Sequence, residues 1–351
     1  MSLEMGEFIY PKLKQPPPPE IAIIDLDSLL FQAASSGEQV WYVAKDVDGN
    51  EVARFDSAKA YQYWLEEIEL FGADPLHGYE DTIENLSRET VYEILPVENC
   101  YKTFDKMLKD WVKQSGCPKF KCWVSKKSGA KNFRYDIATL NQYKKGRENL
   151  RKPHHLEAVR KYAMQHPNVV KAVGKIEVDD LVVAVAEKYK HKGCLLSIDK
   201  DSRQVMGTHV MIIDQMDQPV FSSKKIVGKL GYDGKKVTGH GVLFLLWQSL
   251  TGDTVDGILG CKGVGKKKAY DLLSKYSGVC MSHLPQAVGD VCEVYKSVYG
   301  DSYKYNHCYT NEEVVASWQD IFTENVRLLW MLRHKDDKAE FVLDHIPEEI
   351  I

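Results

Sequence analysis

Acidic residues stand in four short stretches where side chains could be gathered for chemistry. Asp25 ends the apolar run from Ile21. Glu177, Asp179 and Asp180 lie in IEVDDL at the start of a helical pattern. Asp199 and Asp201 lie in SIDKDSRQV after the apolar run Cys194–Ile198, and Asp253 and Asp256 lie in LTGDTVDG. Taken singly, each group is explained by capping or solvation, since a carboxylate in a helix's first turn is mildly favoured by the helix dipole. Taken together they would be eight carboxylates in one pocket. Each close pair would then cost about 4 kcal/mol at 4 Å and an effective dielectric near 20. Only cations offset such a cost, and an all-oxygen donor set without His or Cys favours magnesium, with manganese able to substitute. A calcium loop at Asp199 is disfavoured, because Arg203 and Met206 stand where further oxygen ligands or a glycine are needed. Asp46, Asp48 and Asn50 lack a later Glu and read as a turn.

The stretch Ser249–Leu273, SLTGDTVDGILGCKGVGKKKAYDLL, crowds glycines and lysines beside the last two aspartates. A phosphate-binding P-loop would need a Ser or Thr after its lysine, where Lys267 stands, and a preceding buried strand. Gly241–Leu250 reads instead as an apolar helix. A helix-hairpin-helix fits better: Gly260, Gly263 and Gly265 permit a tight turn with positive φ, and a second helix starts at about Lys266. The N–H groups at that helix start would face a phosphate, with Lys262, Lys266, Lys267 and Lys268 adding charge. A Gly-rich loop before a solvated basic helix is the plainer alternative.

The chain of 351 residues, 44% hydrophobic and 27% charged, has the composition of an ordinary globular protein with ample core. Its N-terminus lacks a signal-peptide order and no apolar run approaches a bilayer's thickness, so it is expected to be cytoplasmic, with no membrane partner. Eight cysteines without a C-x-x-C pair suggest reduced, buried thiols and neither a zinc site nor disulfides. The net charge of −4 argues against a nucleic-acid binder, but its distribution argues for one. From Lys119 to Lys161 there are thirteen Lys or Arg against three acids, the composition of a solvated face or of a footprint for phosphates. Metal-holding carboxylates, a hairpin and this block together point to phosphodiester hydrolysis by two ions roughly 4 Å apart, with lysines neutralising the phosphate.

The expected organisation starts with a Pro-rich arm over 1–19, which includes Pro16–Pro19. A hairpin is expected over Trp41–Phe55, an irregular surface insertion over Gly72–Pro96, a helix over Tyr101–Gln114 and a buried strand over Phe120–Val124. A helix over Glu177–Lys190 follows, then strands over Cys194–Ile198 and His209–Ile213. From His240 onward the pattern reads as helical, including a long helix between Asn311 and Arg333. Strands alternating with helices imply an α/β fold whose mostly parallel sheet binds ligands outside its strands' carboxyl ends.

Five ordered motifs, IIDLDSLLFQA, FRYDIATLNQYKKGR, EVDDLV, SIDKDSRQV and LTGDTVDGILGCKGVGKKKAYDLL, resemble those of the 5′ nuclease (flap endonuclease) superfamily, particularly its bacteriophage 5′ to 3′ exonucleases. The resemblance covers about 21–276. It implies a PIN-like α/β nuclease domain over 20–214, with an inserted hairpin (about 38–96) and a basic helical arch (about 126–160). It implies a helix-three turn-helix DNA-binding and helical region over 215–333, and a tail from 334 without an obvious sliding-clamp motif. The implied activity is magnesium-dependent 5′ to 3′ exonuclease or flap endonuclease action on DNA 5′ ends, flaps or nicked duplex in replication or recombination. An RNase H-like action on RNA–DNA hybrids and a non-catalytic DNA-binding role stand as alternatives.

By the same resemblance Asp25, Glu177, Asp179 and Asp199 match first-metal ligands or their water shell, with Asp180 alongside. Asp201, Asp253 and Asp256 match the second-metal side, and Asp27 would share the face of Asp25 if the strand continued. Lys144 matches the arch lysine on the scissile phosphate and Arg147 its electrostatic helper. Tyr143 matches a residue stacking on an unpaired base and Arg134 a contact to the DNA backbone. The turn from Gly260 to Gly265 resembles one that binds potassium and grips duplex. Ser125-Lys126 departs from the pattern, which has an aspartate there in many relatives.

Overall fold

The computed structural model describes residues 8–71, 83–125, 132–146, 150–172, 176–213 and 218–350. The apolar run forms β1 (Ile21–Asp25), and α1 (Asp27–Ser35) follows after one residue. The strand therefore ends at Asp25, and Asp27 opens a helix instead of sharing Asp25's face. β2 (Glu38–Lys45) and β3 (Glu51–Phe55) make the expected hairpin, in whose turn Asp46 Oδ1 accepts the Asn50 N–H at 2.8 Å. Then come α2 (Ala58–Phe71) and β4 (Ser87–Ile94), which pairs antiparallel along the whole of β2. The expected irregular insertion is thus a regular strand over Ser87–Ile94; 72–82 lie outside the described residues. α3 (Val97–Ser115), β5 (Lys119–Val124), the short α4 (Arg134–Ile137) and α5 (Leu156–Ala163) continue the chain. Of the expected basic arch, the described part holds α4, a turn at 143–146 and α5.

The remaining parallel elements are β6 (Val169–Lys171), α6 (Val178–Tyr189), β7 (Gly193–Ser197) and β8 (His209–Ile212), followed by the short β9 (Val220–Phe221). A second hairpin, β10 (Gly228–Tyr232) and β11 (Val237–Gly241), leads into α7 (Val242–Thr251), α8 (Lys266–Leu273) and α9 (Leu284–Tyr299). The region after His240 is not wholly helical. β12 (Tyr303–Asn306) pairs with β13 (Glu313–Ala316), and α10 (Trp318–Leu329) starts only at the Ser317/Asp320 capping box. That box satisfies the helix's first N–H groups at Ser317, so the expected helix between Asn311 and Arg333 is shorter at both ends. α11 (Glu340–Leu343) lies near the C-terminus.

The chain forms two compact units: one of Met1–Ser28, Lys109–Leu150 and His166–Ile351, the other of Leu29–Leu108 and Arg151–Gln165. The second unit holds the sheet β3-β2-β4, with Ala44 and Ala53 packed on Tyr61, Trp64 and Ile68 of α2. The first holds a six-stranded sheet in the order β6-β5-β1-β7-β8-β9, parallel except for β9. β1 and β7 are apolar and almost wholly buried, as strands covered on both faces must be. The chain leaves β1 for β5 on one side and returns to β7 on the other, so Asp25 stands at the point where the strand order reverses, where such sheets open a crevice. α7, α9 and α10 share a large apolar core that includes Phe244, Tyr295 and Phe322. All eight cysteines are free, and six are buried. Among the described residues no helix is long and apolar enough to cross a membrane.

Candidate active site

The carboxylates reach this crevice from four elements. Asp25 comes from the end of β1, and Glu177 and Asp179 from the start of α6. Asp199 and Asp201 come from the turn after β7, and Asp256 from the turn after α7. Glu177, Asp179, Asp199, Asp201 and Asp256 line one pocket with Arg134, Tyr143 and Lys144, and Leu328, Leu329 and Met331 form its apolar wall. Asp25 joins them through a hydrogen bond with Asp179. Burial pushes Asp25 up to about 6, and Asp27 and Asp199 add repulsion. Burial, then the negative charges of Asp25 and Asp199, hold Asp179 well above the usual carboxylate range. Burial and mutual repulsion thus oppose ionising both of these hydrogen-bonded carboxyl groups together.

On the other side, the Asp199 carboxylate accepts the Asp201 N–H at 2.9 Å, and Asp201 accepts from the Gln248 amide at 2.6 Å. Burial and the charge of Asp199 push Asp201 up to about 8, and burial with Asp256 and Asp253 raises Asp199. Asp253 forms an ion pair with Lys200 at 2.7 Å, and its other oxygen accepts the N–H groups of Val255 and Asp256. Asp253 thus shapes the turn that presents Asp256 and stands one ion pair away from the pocket. Lys200, between the two aspartates of SIDKDSRQV, was not singled out from sequence, although its spacing carried the signal.

Lys144 lines the same pocket. Its Nζ lies 2.8 Å from Glu177 Oε1 and 3.9 Å from Asp256 Oδ2. Its backbone is left-handed, with φ of 54°, and its N–H donates to the Asp256 carbonyl at 2.8 Å. A non-glycine residue in that region is held there by its surroundings. Burial works against the charge on Glu177, but Lys144 and Arg134 overcome it and hold the group below its ordinary value.

Three expectations change. Arg134 does not reach DNA: it is 4% exposed, its two terminal nitrogens bond Asp180 at 2.8 and 2.9 Å, and one also bonds Glu177 at 2.9 Å. Asp180 is consequently no metal ligand; it is 0% exposed and also accepts the Leu332 N–H at 2.8 Å. Tyr143 cannot stack on a base in this arrangement, since its ring is 3% exposed and its hydroxyl donates to Asp256 at 3.3 Å. Asp27 accepts the Ser125 N–H at 3.1 Å, tying the end of β5 to the start of α1. Arg147 lies outside the described residues.

The hairpin forms as expected. Gly260 and Gly263 have φ of 69° and 78°, whereas Gly265 is extended and caps α8. At Gly260 a Cβ would stand 2.3 Å from the Gly252 nitrogen, so only glycine fits. Lys262, Lys266, Lys267 and Lys268 are exposed around the N-terminus of α8, and Lys267 pairs with Asp271 at 2.6 Å.

The donor set fits hard divalent cations: oxygen ligands only, buried, with burial and mutual repulsion raising Asp25 to about 6 and Asp201 to about 8. Among the described residues no three His, Cys, Asp or Glu side chains form a closed coordination shell as they stand. Lys144 pairs with Glu177 and Lys200 with Asp253.

The first unit thus combines a mostly parallel α/β sheet, an acidic crevice at its reversal point and a helix-hairpin-helix. No family model matches the chain. The 5′-3′ exonuclease of Aquifex aeolicus is 29% identical over 157 residues, 41% of this chain and 50% of that protein. The flap endonuclease Xni of Pseudoalteromonas translucida is 28% identical over 106 residues, 29% of this chain and 38% of that protein. The chain thus spans about half or less of the length of these relatives. A crystal structure of the T5 D15 protein with metal ions covers 71% of this chain and 89% of its own, at 14% identity and a TM-score of 0.42. In sequence the chain is thus similar to proteins named 5′-3′ exonuclease and flap endonuclease.

Proposed function

We propose that the chain is a metal-dependent nuclease that hydrolyses DNA phosphodiesters from 5′ ends or at 5′ flaps, in replication or recombination. The observation that carries this reading is the one pocket that five carboxylates from three segments of the chain line together with Lys144. Asp25, Glu177, Asp179 and Asp199 would hold one ion or its water shell, and Asp201 with Asp256 a second, with Asp253 steadying the Asp256 turn. Magnesium, or manganese in its place, would supply a nucleophilic hydroxide and charge stabilisation for the leaving oxygen.

The chain's own groups do the rest. Lys144, held by Glu177 beside Asp256, offers a positive charge to a non-bridging phosphate oxygen. Gln248 fixes the rotamer of Asp201 with a 2.6 Å hydrogen bond. Arg134 and Asp180 lock the start of α6, so that Glu177 and Asp179 point into the pocket. Leu328, Leu329 and Met331 exclude water on one side, strengthening each electrostatic contact. The exposed lysines and the N–H groups at the start of α8 would hold duplex through its phosphates, with a potassium ion at the Gly260–Gly265 turn.

The test is cleavage of end-labelled flap, nicked, blunt and single-stranded DNA, and of an RNA–DNA hybrid, with magnesium and with chelator. The expected result is magnesium-dependent release from DNA 5′ ends or flaps. Cleavage of the hybrid alone would move the substrate to RNA, and no metal-dependent cleavage of any substrate would remove the nuclease reading.

A further inference from the structure

Helix α10 carries two adjacent buried polar side chains, and each is bonded to a different working part of the site. Glu324 is 9% exposed, and its carboxylate accepts the N–H groups of Thr139 and Leu140 at 2.9 and 3.0 Å and the Thr139 hydroxyl. Those two residues begin the segment that delivers Lys144. Asn325 is 1% exposed; its Oδ1 accepts the Gly260 N–H at 3.2 Å, and its Nδ2 donates to the Ile321 carbonyl at 3.1 Å and more weakly to the Gly260 carbonyl at 3.5 Å. Gly260 opens the hairpin that carries the exposed lysines. From α9, the Tyr299 hydroxyl donates to the Gly260 carbonyl at 3.3 Å and accepts the Lys262 N–H at 3.0 Å.

Neighbouring residues on a helix project about 100° apart, so one rigid rod reaches both places at once. Burying an amide and a carboxylate costs free energy unless each is bonded. Apolar side chains would pack this helix more cheaply. What the polar pair adds is a fixed distance between two backbone segments, one presenting Lys144 and the other the turn that carries the exposed lysines.

We infer that Glu324 and Asn325 set the position of cleavage: Asn325 fixes the grip on duplex, Glu324 fixes Lys144, and α10 holds the number of nucleotides between grip and cut constant. The inference rests on the nuclease reading. Both are positioning residues, since their side chains bond protein backbone and the Thr139 hydroxyl.

The experiment is single-turnover cleavage of a 5′-labelled flap DNA with magnesium, resolved to single nucleotides. Wild type gives one dominant product. Asn325→Ala and the milder Tyr299→Phe, which leaves the ring packed, give a second product one nucleotide away at a comparable share. Glu324→Gln, which loosens the Lys144 end of the same spacer, gives that second product too, at a rate between those of wild type and Lys144→Ala. A purely structural role would slow all cuts in proportion without moving them. A single wild-type product from both Asn325→Ala and Tyr299→Phe, or a wild-type rate from Glu324→Gln, overturns the inference. Wild type cleaving no DNA at all removes the nuclease reading itself, which keeps the two failures apart.

Discussion

Arg134 grips Asp180 through two parallel hydrogen bonds of 2.8 and 2.9 Å, 46 residues apart in sequence and both almost wholly buried. The same guanidinium bonds Glu177 and the carbonyls of Leu328 and Trp330, so one side chain ties α4, α6 and the end of α10 together. Removing one partner of such a pair leaves an uncompensated buried charge, at about 3–5 kcal/mol. Asp180→Asn is therefore expected to lower unfolding free energy by about that amount in urea melts. DNA affinity of the folded variant stays unchanged, whereas a large rise in affinity, from a guanidinium freed of Asp180, would return Arg134 to DNA contact.

Gly257 sits at φ of 75°, and a Cβ there would stand 2.5 Å from the Gln142 carbonyl. The adjoining Asp256 carbonyl accepts the Lys144 N–H, and the Gly257 carbonyl accepts from Asn141. Gly257→Ala must push the Lys144 segment away from the pocket. Single-turnover cleavage is expected to fall while DNA affinity holds; a wild-type rate would mean that the segment yields without cost.

Lys144→Ala removes the one lysine that lines the pocket among the described residues. Loss of one preorganised charge at a developing oxyanion costs about 10²–10³-fold in rate. Pre-bound DNA should be cleaved that much more slowly by this variant. If binding falls and cleavage of bound DNA does not, Lys144 serves docking alone.

The acids also fix a pH dependence. Burial raises Asp25 to about 6 and Asp201 to about 8, whereas in the unfolded chain such groups ionise near 3.9. A raised folded value means stability that is full below about pH 4 and is lost as pH rises towards 8. Magnesium bound to the ionised carboxylates offsets that loss, by about 2.7 kcal/mol at a hundredfold excess over its Kd. The rise in Tm on adding magnesium is therefore expected to be larger at pH 8 than at pH 5. Equal rises at both would show that metal does not relieve this repulsion.

Much of this was legible in the chain because the signals are local. The runs IAII and CLLSI are continuous and apolar, and they became β1 and β7. The glycines before Lys266 set a turn and a helix start where expected. What failed depended on distance. SRETVYEI is a strand only because β2 lies beside it, and its charges at Arg88, Glu89 and Glu93 hid the pattern. EVVA before α10 could have extended a helix until the Ser317 capping box closed it. That Arg134, Tyr143 and Asp180 would be buried among partners 46 to 196 residues away has no local sign. The same holds for Glu324 and Asn325, whose partners lie far upstream.

The most direct measurement compares Asp201→Ala and Asp256→Ala with wild type for magnesium-dependent cleavage and for DNA binding in chelator. Two ions held by these carboxylates require cleavage to vanish in both variants while DNA affinity stays at the wild-type level. Undiminished turnover in both would contradict the assignment of the pocket.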